Sequence, residues 1–330
     1  MGKVKRSDIR PELRPAATLL NIRYRAHDED GFAAMDKRSG RKQGKWSSRL
    51  IRAEEAGVVR PDGSVLRLLI CSAVGGTQPQ ATGLLWMHGG GFAYGVPEDD
   101  ALFAERFCED GSCVAVMPDY TKSTQSPYPS AFEDCRLALF WMKDHAAEIG
   151  ISANQLFVGG TGAGGGLAAA LCIAARERGD INIAYQILIS PMLDDRMVTA
   201  SSQDNNAPVW DSRKNRAAWD LYLKTLKEED MPVPAFAAPA RERRLSDLPP
   251  ACSYVGELDP LRDETVRYIA RLKKSGVKVS LRVFGGCYHN FEQTAVGSRI
   301  AASARRFLME NFRYAQQNCR AQNGASMAEW

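Results

Sequence analysis

The chain has 330 residues, 45% of them hydrophobic, and its 43 basic and 39 acidic side chains leave a formal net charge of +4. This length and composition allow one large α/β domain with a substantial core. Because the charges nearly cancel, they give no support for binding nucleic acid or an anionic membrane. The sequence contains no run of 18 apolar residues and no signal-peptide pattern, so we expect a cytoplasmic protein without a membrane span.

The eight cysteines are scattered along the chain, with no C-x-x-C pair and no histidine at metal-ligand spacing. This distribution predicts neither a disulfide framework nor a zinc site. We therefore expect buried thiols and no bound metal.

Strand-like and helix-like segments alternate along most of the chain, after a charged N-terminal segment of about 48 residues with a helical pattern. Candidate strands are 65–72, 83–87, 113–117, 155–158, 184–190, 251–255 and 278–284. Candidate helices are 100–110, 131–149, 167–178, 263–275 and 298–312. Several strands are continuous apolar runs, which is typical of parallel strands buried on both faces. The pattern predicts an open, mostly parallel α/β sheet covered by helices on both sides, with the active site at the carboxyl ends of the strands.

A long insertion at 195–247 interrupts this alternation and contains tryptophans, a tyrosine and several prolines. Insertions of this length in compact domains commonly act as lids or binding surfaces.

A triple glycine in the sequence HGGGF, His88 to Phe92, directly follows the strand 83–87. Backbone amides in such a segment are unshielded by side chains and can approach a developing oxyanion closely. An ordinary tight turn is the structural alternative. The leading histidine and the position at a strand end favour an oxyanion hole.

The segment 156–170 combines an apolar strand, a glycine turn and an alanine-rich helix. This is the layout of a nucleophile elbow, G-x-S-x-G, except that Gly162 stands at the central position. Thr161 precedes the apex, and at a sharp turn we expect its hydroxyl to point away from a base. Ser190 and Cys287 are close to the predicted pocket, but neither is on a turn that would expose it. We consider water held in the space left by the missing hydroxymethyl group a better substitute.

The same glycine turn, 160–165, also satisfies the dinucleotide fingerprint G-x-G-x-x-G, which would indicate an oxidoreductase. That fingerprint requires an acidic residue at the end of the next strand, where this chain has Ile189, Ser190 and Pro191. The dinucleotide hypothesis would also leave the HGGGF segment unexplained.

Asp259 and His289 each lie in a loop directly after a candidate strand. An aspartate there can orient an imidazole and stabilise its cation, although helix capping is an equally good role for it. Among the four histidines, His289 alone lies in a loop suitable for a general base near neutral pH. Isolated loop histidines are otherwise usually structural or solvated.

The order of elbow, Asp259 and His289, with HGGGF upstream, is the chain order of the α/β-hydrolase triad. From about residue 84 to 312 the sequence resembles the hormone-sensitive-lipase-like family of α/β-hydrolases, in the bacterial carboxylesterase and arylesterase branch. The motifs that carry the resemblance are HGGGF at 88–92, PDY at 118–120, PYP at 127–129, the elbow, SPMLDD at 190–195, DPLRDE at 259–264 and HNF at 289–291.

This resemblance implies a single α/β-hydrolase domain over 1–330, with a helical cap from about 1–48 and 195–247. It also implies an oxyanion hole made by Gly90, Gly91 and the amide of Ala163, with Asp259 and His289 as acid and base. The family usually has G-D-S-A-G-G at the elbow, where this chain has GTGAGG at 160–165. The family nucleophile is thus absent at Gly162, and we expect a small-acyl-ester hydrolase that is inactivated or strongly impaired.

Five aromatic side chains are candidates to line an apolar pocket for a small acyl or aromatic ligand, although packing inside the lid is at least as good a role for them: Phe92, Tyr94, Trp210, Trp219 and Tyr222. The resemblance implies a small-molecule ester or acyl ligand, no cofactor, and a tendency to form homodimers. Two alternatives stay open on the same fold: a non-hydrolytic binding protein for small ligands, and a proton-transfer enzyme that needs no nucleophile.

Overall fold

The computed structural model describes residues 3–23 and 27–321. The strands are β1 (Ile51–Val59), β2 (Val65–Ala73), β3 (Ala81–Met87), β4 (Cys113–Pro118), β5 (Ile151–Thr161), β6 (Tyr185–Ile189), β7 (Ala251–Gly256) and β8 (Val279–Phe284). The α-helices are α1 (Arg14–Arg23), α2 (Glu29–Gly40), α3 (Ala101–Cys108), α4 (Ser130–Asp144), α5 (Ala163–Arg178), α6 (Ser212–Tyr222), α7 (Lys224–Glu228), α8 (Arg262–Lys274), α9 (Phe291–Thr294) and α10 (Arg299–Asn318).

The strands form one sheet in the order β1-β2-β4-β3-β5-β6-β7-β8. The pairings of β1 with β2 and of β2 with β4 are antiparallel, and all pairings from β4 through β8 are parallel. The predicted mostly parallel α/β sheet is confirmed. The edge strand β1 was not among the predicted strands, because most of its side chains are exposed and include charged residues, so it has no apolar run.

Helices cover both faces of the sheet, as consecutive residues of β3 demonstrate. Leu85 and Met87 belong to a core with residues of α4, α5 and α8, whereas Leu84 and Trp86 belong to a second core with residues of α3 and α10. Because side chains of a strand alternate between faces, β3 is buried on both sides. This explains its continuous apolar sequence.

The junction between β5 and α5 is tighter than the sequence predicted. The strand extends to Thr161 and the helix begins at Ala163, so Gly162 alone separates them. A Cβ atom on Gly164 would overlap the carbonyl oxygen of Met87, at the end of β3. The first turn of α5 therefore packs backbone against backbone on the end of β3, which brings the glycine turn beside the HGGGF segment.

Two segments outside this alternation contribute buried residues to the same two cores. The N-terminal segment contributes α1 and α2, and the 195–247 insertion contributes α6 and α7. The chain just after α2 is tied by polar contacts to the 3-10 turn at Pro97–Asp100, which leads into α3: Lys42 pairs with Asp99, and the Gly44 amide donates to Glu98 Oε1 at 2.8 Å. Within the described residues, no helix is long and apolar enough to cross a membrane.

The close approach at Gly164 predicts a strong effect of a single methyl group. Gly164→Ala should lower the free energy of unfolding by more than about 3 kcal/mol, because the overlapping atom is rigid backbone rather than a movable side chain. Urea unfolding followed by circular dichroism measures this change. Gly40→Ala is the control, since a Cβ at the end of α2 meets nothing within 4 Å. Equal effects of both substitutions would contradict the proposed packing.

Candidate active site

Gly162 forms a sharp turn between β5 and α5. Its backbone angles are φ +53° and ψ −115°, outside the left-handed helical region that other residues visit. The turn is held on both sides: the Gly162 amide donates to the Ile189 carbonyl at 2.9 Å, and its carbonyl accepts from the Met192 amide at 2.9 Å. The backbone there is thus fixed in a strained conformation that glycine tolerates best.

The side chain that glycine lacks would point toward His289. An ideal Cβ at residue 162 lies 3.5 Å from His289 Nε2, 3.7 Å from its Cε1 and 4.0 Å from the Gly89 Cα, with no closer neighbour. All three distances are at or above ordinary van der Waals contact. The turn therefore has both the direction and the space for a small side chain facing the imidazole.

His289 is held on its other nitrogen by Asp259. The Nδ1 atom lies 2.8 Å from Asp259 Oδ2, and the second carboxylate oxygen, Oδ1, accepts from the Leu261 amide at 2.9 Å. Asp259 is fully buried and His289 is buried except for a small exposed fraction. With Nδ1 donating to the carboxylate, Nε2 carries the lone pair that faces Gly162.

The three glycines after β3 lie beside this pair. No intramolecular hydrogen bond from the Gly90 or Gly91 amide is present in the described part of the chain, and Gly90 has φ +114°. The Ala163 amide opens α5 and has no acceptor within the helix, as at every helix start. These amides and Gly162 border one cavity. They are therefore available to an oxygen atom bound there.

His88 supports this turn instead of facing a ligand. Its ring stacks on Tyr120 with centroids 4.2 Å apart, and the Tyr120 hydroxyl donates to the His88 carbonyl at 2.9 Å. Burial, with a smaller contribution from the nearby Lys122 cation, lowers the pKa of His88 to about 4. The imidazole is therefore neutral near pH 7 and acts as a buried support for the glycines.

The cavity that contains Gly162 and His289 measures about 350 Å³. Residues from the two segments outside the sheet line it: Leu20, Met35, Arg38, Ser39, Lys42, Val209 and Trp210. Of the aromatic residues singled out in the sequence, Tyr94 and Trp210 line this cavity, and Trp210 lies 6.1 Å from His289 between ring centroids.

Phe92, Trp219 and Tyr222 are outside the lining. They pack on one another, with the rings of Phe92 and Tyr222 stacked 3.8 Å apart and Trp219 5.4 Å from Phe92. All three are buried in the core that also contains α4 and α5. Their observed role is therefore to pack α6 of the insertion against Phe92 in the core.

None of the substitute nucleophiles considered from the sequence is placed toward His289. The Thr161 hydroxyl donates to Asp100 Oδ2 at 3.0 Å, which turns it away from the imidazole. Ser190 and Cys287 are buried and do not line the cavity. Burial also raises the pKa of the Cys287 thiol to about 12, so it is not a thiolate near neutral pH.

Asp100 is a buried carboxylate at the site that the sequence did not single out. Its oxygens accept from Trp86 Nε1 at 2.9 Å, Thr161 Oγ1 at 3.0 Å and Gln293 Nε2 at 2.9 Å. It thereby joins β3, the end of β5 and the short helix after His289. The aspartate follows two other acidic residues in a polar run, so no periodicity distinguishes it.

Burial raises the pKa of Asp100 to about 6, against the lowering effect of its three hydrogen bonds.

Within residues 3–23 and 27–321, no group of three or more histidine, cysteine, aspartate or glutamate side chains could hold a metal ion. All eight cysteines are free thiols.

The strained turn predicts that serine at residue 162 costs stability. Gly162→Ser should lower the free energy of unfolding by about 1–3 kcal/mol, because a side chain is added to backbone angles that favour glycine. The melting temperature, measured by calorimetry for both proteins, should fall. A clear rise would mean that residue 162 is not the apex of a strained turn.

Asp100 predicts a pH-dependent difference in stability. Folding raises its pKa from 3.8 to about 6, so the bound proton stabilises the folded state fully below about pH 4. This contribution is lost as the pH rises through 6. The Asp100→Asn variant has no titrating group at this position. The loss in free energy of unfolding that it causes, relative to the unmodified chain, should therefore be smaller at pH 7 than at pH 4 by up to about 3 kcal/mol. Urea unfolding of both proteins across this range is the measurement; a cost independent of pH would contradict the raised pKa.

Comparison with known proteins identifies the family. A family model described as the α/β hydrolase fold matches residues 84–293. The chain is 32% identical over 205 residues to esterase LipI of Mycobacterium tuberculosis, a match that covers 62% of this chain and 63% of that protein, less than two thirds of its length. It is 30% identical over 223 residues to carboxylesterase NlhH of the same species, covering 67% of this chain and 70% of that one.

Solved structures extend the likeness over nearly the whole chain. A bacterial heroin esterase superposes with a TM-score of 0.84 at 31% identity, covering 94% of this chain and 98% of that one. A hyperthermophilic esterase from Pyrobaculum calidifontis gives a TM-score of 0.79 at 25% identity, with 93% and 98% covered. These matches give the dinucleotide hypothesis no support. The chain belongs to the α/β-hydrolase-fold family, in the hormone-sensitive-lipase-like branch that contains bacterial carboxylesterases.

Proposed function

We propose that this chain is a carboxylic-ester hydrolase scaffold for small acyl esters in which every part of the catalytic site except the serine nucleophile is in place. The observation that carries the proposal is the direction of residue 162, whose Cβ would lie 3.5 Å from His289 Nε2. A serine hydroxyl added there comes within hydrogen-bond reach of the base. Such contact between nucleophile and base is the requirement for acyl transfer.

The remaining groups have the roles that ester cleavage needs. His289 is the base, and buried Asp259 fixes its tautomer and stabilises its cation. The Gly90, Gly91 and Ala163 amides form the oxyanion hole, where they offset the charge that develops on the carbonyl oxygen. Removing one donor from such a hole lowers the rate by about 10²–10³-fold, so each donor matters mainly for catalysis. Three amides without an intramolecular acceptor therefore favour acyl chemistry over simple ligand binding.

The substrate is a small ester because the cavity measures only about 350 Å³ and is bordered by side chains from two segments. We assign the cap to residues 1–48 and 195–247, since Met35 and Leu20 come from the first segment and Trp210 and Val209 from the second. Tyr94 and Trp210 provide its aromatic walls. Dimerisation and a cytoplasmic location stay predictions of the sequence.

Turnover by the chain as it stands is expected to be weak. Hydrolases whose triad members are removed keep about 10³–10⁴-fold acceleration over water from the oxyanion hole and substrate binding. Full catalysis exceeds that level by several orders of magnitude. The unmodified chain should therefore hydrolyse esters slowly, through water activated by His289.

Restoring the nucleophile tests the proposal. Gly162→Ser should raise kcat/KM for p-nitrophenyl acetate and butyrate by at least about 100-fold over the unmodified chain, because nucleophile, base and hole then act together. The initial rate of p-nitrophenolate release is the measurement. A burst equal to the enzyme concentration would report the acyl-enzyme.

His289→Ala in each background is the control. It should abolish the gain from serine while leaving the melting temperature largely intact. If folded Gly162→Ser protein hydrolyses no ester, the hydrolase assignment of this cavity is wrong. Ligand binding without turnover, or proton transfer without a nucleophile, would then be the better account.

A further inference from the structure

We propose that the unmodified site transfers an acyl group directly from an ester to a small external nucleophile bound between Gly162 and His289, without a covalent enzyme intermediate. The nucleophile is a neutral molecule of about two non-hydrogen atoms with an O–H or N–H group, such as methanol or hydroxylamine; water is the smallest case. The inference rests on the proposed ester-binding site and adds a second substrate to it.

The space for this second substrate follows from the backbone of the turn. An ideal Cβ on Gly162 meets nothing closer than His289 Nε2 at 3.5 Å. A serine side chain adds about two non-hydrogen atoms, and the turn is built to point them at the base. A free molecule of that size cannot approach the Gly162 Cα as closely as a bonded side chain, so it lies further into the cavity, beside His289 Nε2. It can enter because Gly162 and His289 both line the cavity.

The space beside His289 Nε2 also suits a molecule that donates a hydrogen bond. His289 Nδ1 donates to Asp259 Oδ2, which leaves Nε2 as an acceptor aimed at the space. Thr161 does not compete, because its hydroxyl is bonded to Asp100 Oδ2 at 3.0 Å. An O–H or N–H group is therefore held by the same atom that must remove its proton.

The reaction balances with the groups present. The external nucleophile attacks the ester carbonyl carbon while its proton passes to His289 Nε2, and the carbonyl oxygen becomes an oxyanion at the Gly90, Gly91 and Ala163 amides. Collapse of this intermediate breaks the bond to the ester's alkoxy oxygen. His289 returns the proton to that oxygen, and the products are one alcohol and the acylated nucleophile.

Direct transfer has a different kinetic form from the serine route. Both substrates must be bound together, so the rate should saturate in each one and fit a sequential mechanism. The serine route forms an acyl-enzyme and gives ping-pong kinetics with a burst. Glycine at residue 162 is then the feature that admits the second substrate, since a serine side chain would fill its place.

The test uses the unmodified chain with phenyl acetate and hydroxylamine, and measures acetohydroxamate by its iron(III) complex. We expect formation that saturates in hydroxylamine, and a loss of at least about 100-fold in His289→Ala and His289→Gln, matching the usual contribution of a general base. Intact-protein mass spectrometry during turnover should find no acetylated enzyme. An acetylated enzyme, or a rate that is unchanged by both histidine substitutions, overturns the proposal.

Gly162→Ala and Gly179→Ala form a matched pair. Both glycines have positive φ, +53° and +64°, so alanine strains both backbones, but a Cβ at Gly179 meets nothing within 4 Å. The alanine methyl at 162 fills the space beside Nε2 and should reduce hydroxamate formation about tenfold or more. Gly179→Ala should keep the full rate. Equal rates in both variants would place the nucleophile elsewhere and overturn the inference.

Gly162→Ser separates this proposal from the one on which it rests. If that variant hydrolyses phenyl acetate and the unmodified chain forms no hydroxamate, direct transfer is wrong and the ester-hydrolase scaffold stands. If neither folded protein acts on the ester, both proposals fall.

Discussion

The candidate site depends on a backbone contact between α5 and the end of β3. Gly160 and Gly164 lie so close to the Met87 carbonyl that a Cβ on either would overlap it. This approach brings the first turn of α5 against the strand that ends in HGGGF, and therefore sets the Ala163 amide beside those of Gly90 and Gly91. Interior backbone that packs this closely leaves little room for adjustment. The geometry of the proposed oxyanion hole is consequently a product of core packing and does not require a side chain at residue 162.

The Asp259–His289 pair is equally independent of the nucleophile. Removing a carboxylate from water is costly unless its oxygens are satisfied, and both oxygens of the fully buried Asp259 have donors: the His289 ring and the Leu261 amide. Neither donor involves residue 162. The hydrogen bonds of the pair therefore do not depend on residue 162, and the arrangement of the proposed base and acid is compatible with glycine at the elbow. It also means that adding serine requires no rearrangement around the imidazole.

Much of this arrangement was predictable because it depends on short, contiguous segments of the sequence. Buried parallel strands appear as apolar runs, and HGGGF and the glycine turn are short motifs with fixed backbone geometry. Contacts between distant segments were not predictable. The hydrogen bonds that bring Trp86, Thr161 and Gln293 to Asp100 join residues up to 193 positions apart. The aromatic residues near the pocket looked alike in sequence, yet Tyr94 and Trp210 line the cavity while Phe92 and Tyr222 stack on each other in the core. Only the packing of the insertion decides between these roles.

Glycine at the elbow lowers the backbone strain of the turn but provides no nucleophilic side chain. A nucleophilic serine there occupies unfavourable backbone angles, at a cost of about 1–3 kcal/mol that the hydrogen bonds to Ile189 and Met192 must offset. Both hydrogen bonds are present in this chain, so they hold the turn in this shape although glycine lowers the strain. A turn that had lost any use for its direction would be free to relax, because glycine is compatible with many conformations. The direction of the turn toward His289 Nε2 leaves a small space beside the imidazole, which is the arrangement that the proposed acyl transfer to a bound nucleophile requires.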